Sequence, residues 1–346
     1  MTDTSSRGRV DADLPEGGAA GRRERGPHDD LADVQGQEAE SVALADGSPG
    51  DEEPTAAEEH PSAGGGLWTG AWRELRSNPW FLLGSAILVL IVVMAAFPGL
   101  FTSIDANDRT TCDTSRVRQP PSADAWFGTD LFGCDYYSQV VYGARISVLI
   151  GLITVGGLVV LSLALGSLAG WAGGWVDALV SRFTDVWYGL PLILGAILLL
   201  SAFPQRNVWI VGGVLALLSW MTPMRLVRGG VLSTKEADYV QAARALGASR
   251  RRLLGKHVLP NSIAPLIVYS TISIGVAISA EAALSFLGIG LPLSEISWGV
   301  QLNQAQTYYR TVPTLVLFPS IFLTLTVLAF MLIGDALRDA LDPKLK

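Results

Sequence analysis

Runs of apolar residues long enough to cross a lipid bilayer leave this chain little choice of fold. From Trp80 to about Leu100 the sequence carries no charged side chain. About 20 residues at about 1.5 Å each cross the hydrocarbon layer, where no water is available to an unpaired backbone amide, so such a run closes its hydrogen bonds as a helix. Five further blocks follow, near Ser147–Trp171, Phe183–Phe203, Asn207–Met221, Ile263–Leu287 and Thr314–Ile333. The expected fold is an all-α integral membrane protein of six transmembrane helices. A chain with 49% hydrophobic and only 16% charged residues is too apolar for an ordinary soluble domain, which agrees.

Charge is distributed unevenly. Residues 1–66 hold 16 Asp and Glu against 5 Lys and Arg and have no aromatic residue, whereas the remainder holds 16 acidic against 20 basic residues. A segment so poor in apolar area cannot offset the entropy of its own ordering, so 1–66 reads as a disordered acidic tail. The divisions expected after it are 67–146, with the first span and an extracytoplasmic loop, and 147–346, a membrane core. With the N-terminus inside, 14 Lys and Arg flank the inner ends of the spans against 6 in the outer loops. The positive-inside rule then places both termini in the cytoplasm.

The core is interrupted by a polar stretch, Ser233–Pro260, whose own pattern is helical. Ser233 followed by Glu236 has the spacing of a capping box. Tyr239, Ala242, Ala243 and Leu246 fall on one helical face, Gly247 has the position of a left-handed C-cap, Ser249 opens a second short helix, and Pro260 marks a boundary. On pattern alone two readings stand: a docking element with small side chains and a fixed corner, or an amphipathic loop on lipid headgroups.

Chemistry-bearing residues are few. Cys112 and Cys134 share the loop after the first span, where a disulfide and two free thiols both fit the spacing. No metal-ligand cluster is present in the pattern, and no cofactor is expected. Glu281 is the one carboxylate well inside an apolar block, a candidate for a pathway or gate, or for a hydrogen-bonding residue near the outer boundary. No G-x-x-x-x-G-K-[ST] loop occurs, so ATP chemistry is not expected of this chain. The basic run Arg250–Arg252 is explained by topology, and nucleic acid is not an expected partner.

Gln241-Ala242-Ala243, three residues, Gly247, nine residues, His257, one residue, then Leu259-Pro260 resembles the EAA loop of ABC-importer permeases, with Gln241 in the place of Glu and His257 in the place of Ile. In the outer loop, Trp126-Phe127-Gly128-Thr129-Asp130 with Gly133-Cys134-Asp135, and Tyr142-Gly143-Ala144-Arg145-Ile146-Ser147, resemble signatures of the dipeptide and oligopeptide branch, with Cys134 replacing Arg. The resemblance covers roughly 70–346. It implies the type I importer permease fold, a coupling role for Gln241, Ala242, Ala243, Leu246, Gly247, Leu259 and Pro260, and transport of peptides, with nickel, glutathione or another small solute as alternative cargo. It also implies a second permease subunit, two cytoplasmic ATPase subunits and an extracytoplasmic binding protein in a bacterial cell membrane. Asp130, Asp135 and Arg145 either pair with one another or meet the binding protein. A stand-alone secondary transporter is the rival reading and would place paired polar groups at mid-membrane.

Overall fold

The computed structural model describes residues 67–341, and the tail expected over 1–66 lies outside them. The regular elements among the described residues are helices, with a single isolated antiparallel bridge, Thr129 to Asp135, and no strand. A short helix α1 (Leu67–Leu75) buries Ala71 and Leu75 against Ala336 and Ala340 at the far end of the chain. Helix α2 (Pro79–Ala96) starts where Asn78 accepts the Trp80 amide at 2.9 Å, with Pro79 in the first turn, where its missing N–H costs nothing.

The centre of the fold is α3 (Tyr136–Ala172), with Asp135 as N-cap accepting the Ser138 amide at 2.8 Å. Its 37 residues correspond to about 55 Å, well beyond the hydrocarbon thickness, so its first turns stand outside the bilayer. The loop after the first span, expected to reach the span starting near Ser147, is shorter, because the helix already begins at Tyr136. Helix α3 packs on α2 and on the helices that follow, and small residues set the distance. A Cβ added at Gly166 would lie 2.7 Å from the Met224 carbonyl, and one at Gly212 would lie 2.7 Å from Ile153. In lipid, where no hydrophobic force separates helix from solvent, such close approach is a main source of helix association.

The third and fourth spans are not single rods. Helix α4 (Gly174–Tyr188) and α5 (Leu192–Ser201) meet at 86°, and α6 (Val208–Ser219) and α7 (Met221–Lys235) at 51°. The first bend falls at Gly189-Leu190-Pro191, where proline removes a helical donor. Among the described residues four helices are long and apolar enough to cross a membrane, or up to six spans if each bent pair counts as one. Within the polar stretch Ser233–Pro260 lies α8 (Asp238–Ala245), and beyond it come α9 (Ala264–Phe286), a short helix α10 (Trp298–Ala305) and α11 (Thr314–Leu341), with Pro265 in the first turn of α9.

Candidate functional site

The polar loop is built differently at its start from the sequence expectation. Helix α7 runs through Ser233 to Lys235, and the Glu236 amide bonds back to the Ser233 carbonyl, so Ser233 and Glu236 end one helix rather than capping the next. The capping-box spacing is satisfied at a helix C-terminus because the apolar pattern of Val227 and Val231 continues into the loop and holds α7 together. Helix α8 begins after Ala237, without a side-chain cap.

Four positions hang α8 on the core. Val240 is 0% exposed and packs with Val227, Val231, Leu253, Val258 and Leu266, and Ala237, Ala243 and Ala248 lie partly buried around it. The opposite face is open: Tyr239 is 49% exposed, Leu246 is 89% exposed, and Ala242 is exposed between them. Gln241 donates its amide to the Lys235 carbonyl at 3.1 Å, closing one of the free carbonyls at the end of α7. A carboxylate could not make that bond, which gives the Gln at this position a physical reason.

The corner follows. Gly247 has φ +84°, its amide bonds to Arg244 O at 3.0 Å, and the Ala248 amide bonds to Ala243 O at 3.1 Å. These two bonds make a Schellman corner, and only a residue at ease in the left-handed region closes it without strain. Ser249 then accepts the Arg252 amide at 3.4 Å and opens Arg250–Arg252.

Pro260 does not stop the chain. Between Arg250–Arg252 and Leu259–Ser262 the backbone widens into a π turn, Leu253–Val258, in which the Leu259 amide reaches back five residues to Leu254 O. The shifted register puts Pro260 at the start of a fresh turn, where a proline is tolerated. Leu259 joins the same apolar cluster as Val240. Ser262 bonds to Thr234 Oγ1 at 3.1 Å and lashes the segment to α7. The EAA-like residues thus form one unit, with an anchored inner face and an apolar outer knuckle.

The outer loop forms a second built unit. Cys112 and Cys134 are joined in a disulfide. Asp130 accepts the amides of Phe132 and Cys134 at 2.8 Å each and the Gln139 amide at 2.6 Å. Asp135 caps α3, and Arg145 donates to the carbonyls of Ala95 at 3.1 Å and Ala96 at 3.3 Å. No ion pair joins Asp130, Asp135 and Arg145: Asp130 is taken up by two amides of its own turn and by Gln139, Asp135 by Ser138, and Arg145 by the carbonyls at the end of α2. Gly128 has φ +80° and packs on the Gln119 carbonyl, and Thr129 accepts the Gln119 amide at 2.9 Å. On the same loop, the Ser115 hydroxyl and amide hold the Asp113 carboxyl below its usual range.

Glu281 is 0% exposed. Its Oε1 accepts the hydroxyls of Ser285 at 2.8 Å and Ser297 at 3.1 Å, and those two hydroxyls in turn accept the amides of Leu291 and Val300. This carboxyl ties α9 to the start of α10. A cavity of about 240 Å³ lies where both helix bends meet α3 and α9, and Glu281 is not in its lining. Sequence reading had no hold on it, since Tyr188, Ser219, Thr222, Tyr269 and Ser273 are unremarkable one at a time; the one available signal was proline close to each bend, Pro191 and Pro223.

A helical bundle with bent spans around a cavity and a protruding apolar knuckle between spans defines a multi-pass membrane permease. Residues 162–346 match the family model for the binding-protein-dependent transport system inner membrane component, and 66–121 match the N-terminal transmembrane domain of oligopeptide transport permease C. The chain is 38% identical over 281 residues to a dipeptide transport system permease protein, DppC, of Alkalihalophilus pseudofirmus, covering 81% of this chain and 90% of that one. It is likewise 38% identical to the oligopeptide permease OppC of Bacillus subtilis, over 81% and 90% of the two chains, and 36% identical to a glutathione permease, GsiD, of Pectobacterium atrosepticum, over 81% and 92%. The chain therefore belongs to the ABC-importer permease family, in its dipeptide and oligopeptide branch, C type. Members of this family are translocation components and not enzymes.

Proposed function

We propose that this chain forms half of the translocation pathway of a peptide importer, with α8 as the lever by which separate ATPases drive it. The observation that carries the reading is the open face of α8: two large apolar side chains, Tyr239 and Leu246, stand out on a helix whose back is locked into the core and whose direction is set at Gly247. An exposed apolar knuckle of this kind is costly without a partner, and a rigid mount transmits force where a flexible loop would absorb it. Dipeptide and oligopeptide permeases among the relatives support peptides as cargo. A glutathione permease at similar identity keeps that small peptide in the same reading.

The partners that follow are a second permease subunit, making a heterodimer, two cytoplasmic ATPase subunits and an external binding protein. The proposed site is a bacterial cell membrane with both termini and α8 inside. The disulfide between Cys112 and Cys134 supports that orientation, because such bonds persist on the oxidising side, the side the loop after α2 takes in this reading. Cysteine introduced at Leu246 and treated with a bifunctional crosslinker in intact cells tests the reading. Capture of an ATPase subunit is the expected result; labelling of Leu246→Cys by an impermeant external thiol reagent would overturn it.

A further inference from the structure

Helix α4, which ends in the wall of the cavity at the two helix bends, is loosely attached at both of its ends. It follows α3 through Gly173 and Gly174, at φ +63° and +55°, and a Cβ built at either meets no heavy atom within 4 Å. Two consecutive glycines in the left-handed region, with open space around them, make a joint that resists turning very little. At the other end the chain bends by 86° at Gly189-Leu190-Pro191, and Tyr188 and Leu190 stand in the cavity wall. Between the two ends Thr184 is the one buried residue of α4, and Trp175, Leu179 and Val186 are open.

The helices beside it form one block. A Cβ at Gly166 or Gly170 of α3 would lie 2.8 or 2.9 Å from the Cβ of Val227 or Val231 on α7, and Lys235 at the end of α7 donates to the Gly170 carbonyl at 3.0 Å. Two ion pairs tie α4 to this block. Arg228 of α7 donates to both carboxylate oxygens of Asp177, from Nε to Oδ1 and from Nη2 to Oδ2, the latter at 2.6 Å. Their side chains are 32% and 20% exposed, whereas Arg225 and Asp185, paired at 2.8 Å, are 50% and 51% exposed and so more weakly held. A bidentate fork fixes both position and rotation, while the apolar contacts of Val180 and Trp187 with the same block have no direction. The Trp187 indole bonds to Leu217 O, which belongs to α6 and not to the block.

We infer that Asp177 and Arg228 are positioning residues that make α4 a rod driven by the lever: α7 moves with α8, the fork carries α4 about the joint at Gly173 and Gly174, and the Tyr188 end displaces the cavity wall. Without the fork α7 moves and α4 stays behind, because the glycine joint passes on little of the motion. The inference rests on the lever reading above, and it places two residues of the drive outside the stretch from Gln241 to Pro260. The same geometry accounts for two charges at the end of a span, where an ionised group is costly unless it is paired.

The test uses the complete transporter, with its ATPases, in proteoliposomes. Leu190→Cys is labelled with N-ethylmaleimide without nucleotide and with ATP and vanadate; Cys112 and Cys134 are joined in a disulfide and do not react. Leu190 lies in the cavity wall just past α4, so the rate reports the position of that end and needs no cargo. In the Leu190→Cys parent, ATP and vanadate are expected to change the rate about tenfold or more, and Asp177→Asn, which keeps the shape and removes the charge, is expected to cut the change to about twofold or less, the scale of one lost charge-assisted bond. Arg228→Gln is expected to do the same, and the double variant no more than either, since both remove one interaction. A purely structural role would lower the melting temperature and leave the response intact at temperatures where each variant is folded. A full response in Asp177→Asn or Arg228→Gln, losses that add in the double variant, or a parent that does not respond to nucleotide overturns the inference. The crosslink at Leu246 decides the lever reading separately: ATPase capture with a full response in Asp177→Asn removes this inference alone, and failure of capture removes both.

Discussion

Gly247 is the position at which a single backbone angle should decide coupling, and the surroundings make the experiment clean. A Cβ built there meets no heavy atom within 4 Å, so a substitution adds no clash and acts through φ +84° alone. An ordinary L-residue in that region costs roughly 1–2 kcal/mol, whereas Asn visits it readily. A penalty of that size lowers the population of the native corner roughly 5- to 30-fold relative to its alternatives. The bonds at risk are Gly247 N–H to Arg244 O and Ala248 N–H to Ala243 O, which set the direction of the segment after α8. Gly247→Arg is therefore expected to insert and to melt like wild type, because the spans are untouched, while cargo uptake per ATP hydrolysed falls about 5- to 30-fold in reconstituted transporter. Gly247→Asn is expected to retain most of the coupling. Normal coupling in the Arg variant would show that the corner is not needed. Equal loss in Arg and Asn would place the effect in the surface chemistry and refute the backbone argument.

Three further outcomes follow from other parts of the molecule. Gly166→Leu, which drives a Cβ to within 2.7 Å of the Met224 carbonyl, should lower stability by about 1–3 kcal/mol in detergent thermal unfolding, whereas Gly156→Ala, with nothing within 4 Å, should be neutral or slightly stabilising; equal effects would count against the close-packing account. Cys134→Ser should abolish the mobility shift between reduced and oxidised protein and cost on the order of 3 kcal/mol, as expected for a bond bridging residues 22 apart in sequence; an unchanged melting temperature would show that the hydrogen bonds of Asp130 hold the loop by themselves. Glu281→Leu should cost about 2 kcal/mol or more, because the Ser285 and Ser297 hydroxyls lose their acceptor, while Glu281→Gln, which keeps an acceptor oxygen, should stay within about 1 kcal/mol of wild type; the reverse order would mean that the charge rather than the hydrogen bonds matters.

The all-helical membrane fold could be read from the chain because its cause is local. A run of 20 apolar residues has to satisfy its backbone within itself whatever surrounds it, so Pro79–Ala96 and Thr314–Leu341 were legible as spans from composition alone. Gly247 was legible for the same reason, since a left-handed corner after a helix depends on one residue's own sterics. Ser233 and Glu236 were not. Their spacing serves either end of a helix, and the packing of Val227 and Val231 decided that α7 continues through Ser233. Asp130, Asp135 and Arg145 carry opposite charges close together in sequence, but which partner each takes depends on where the backbone of Ala95, Cys134 and Ser138 arrives after folding.

The cavity lies furthest from what a sequence carries. Its hydroxyls come from α3, α4, α6, α7 and α9, which meet only because Gly189 to Pro191 and Trp220 let two spans turn and the Trp187 indole holds the turns together. Sequence by itself determined the elements and the membrane environment, since both depend on short-range bonding and on solvent. Tertiary structure alone decided which polar groups share a space, because that depends on helix crossings set by residues far apart along the chain.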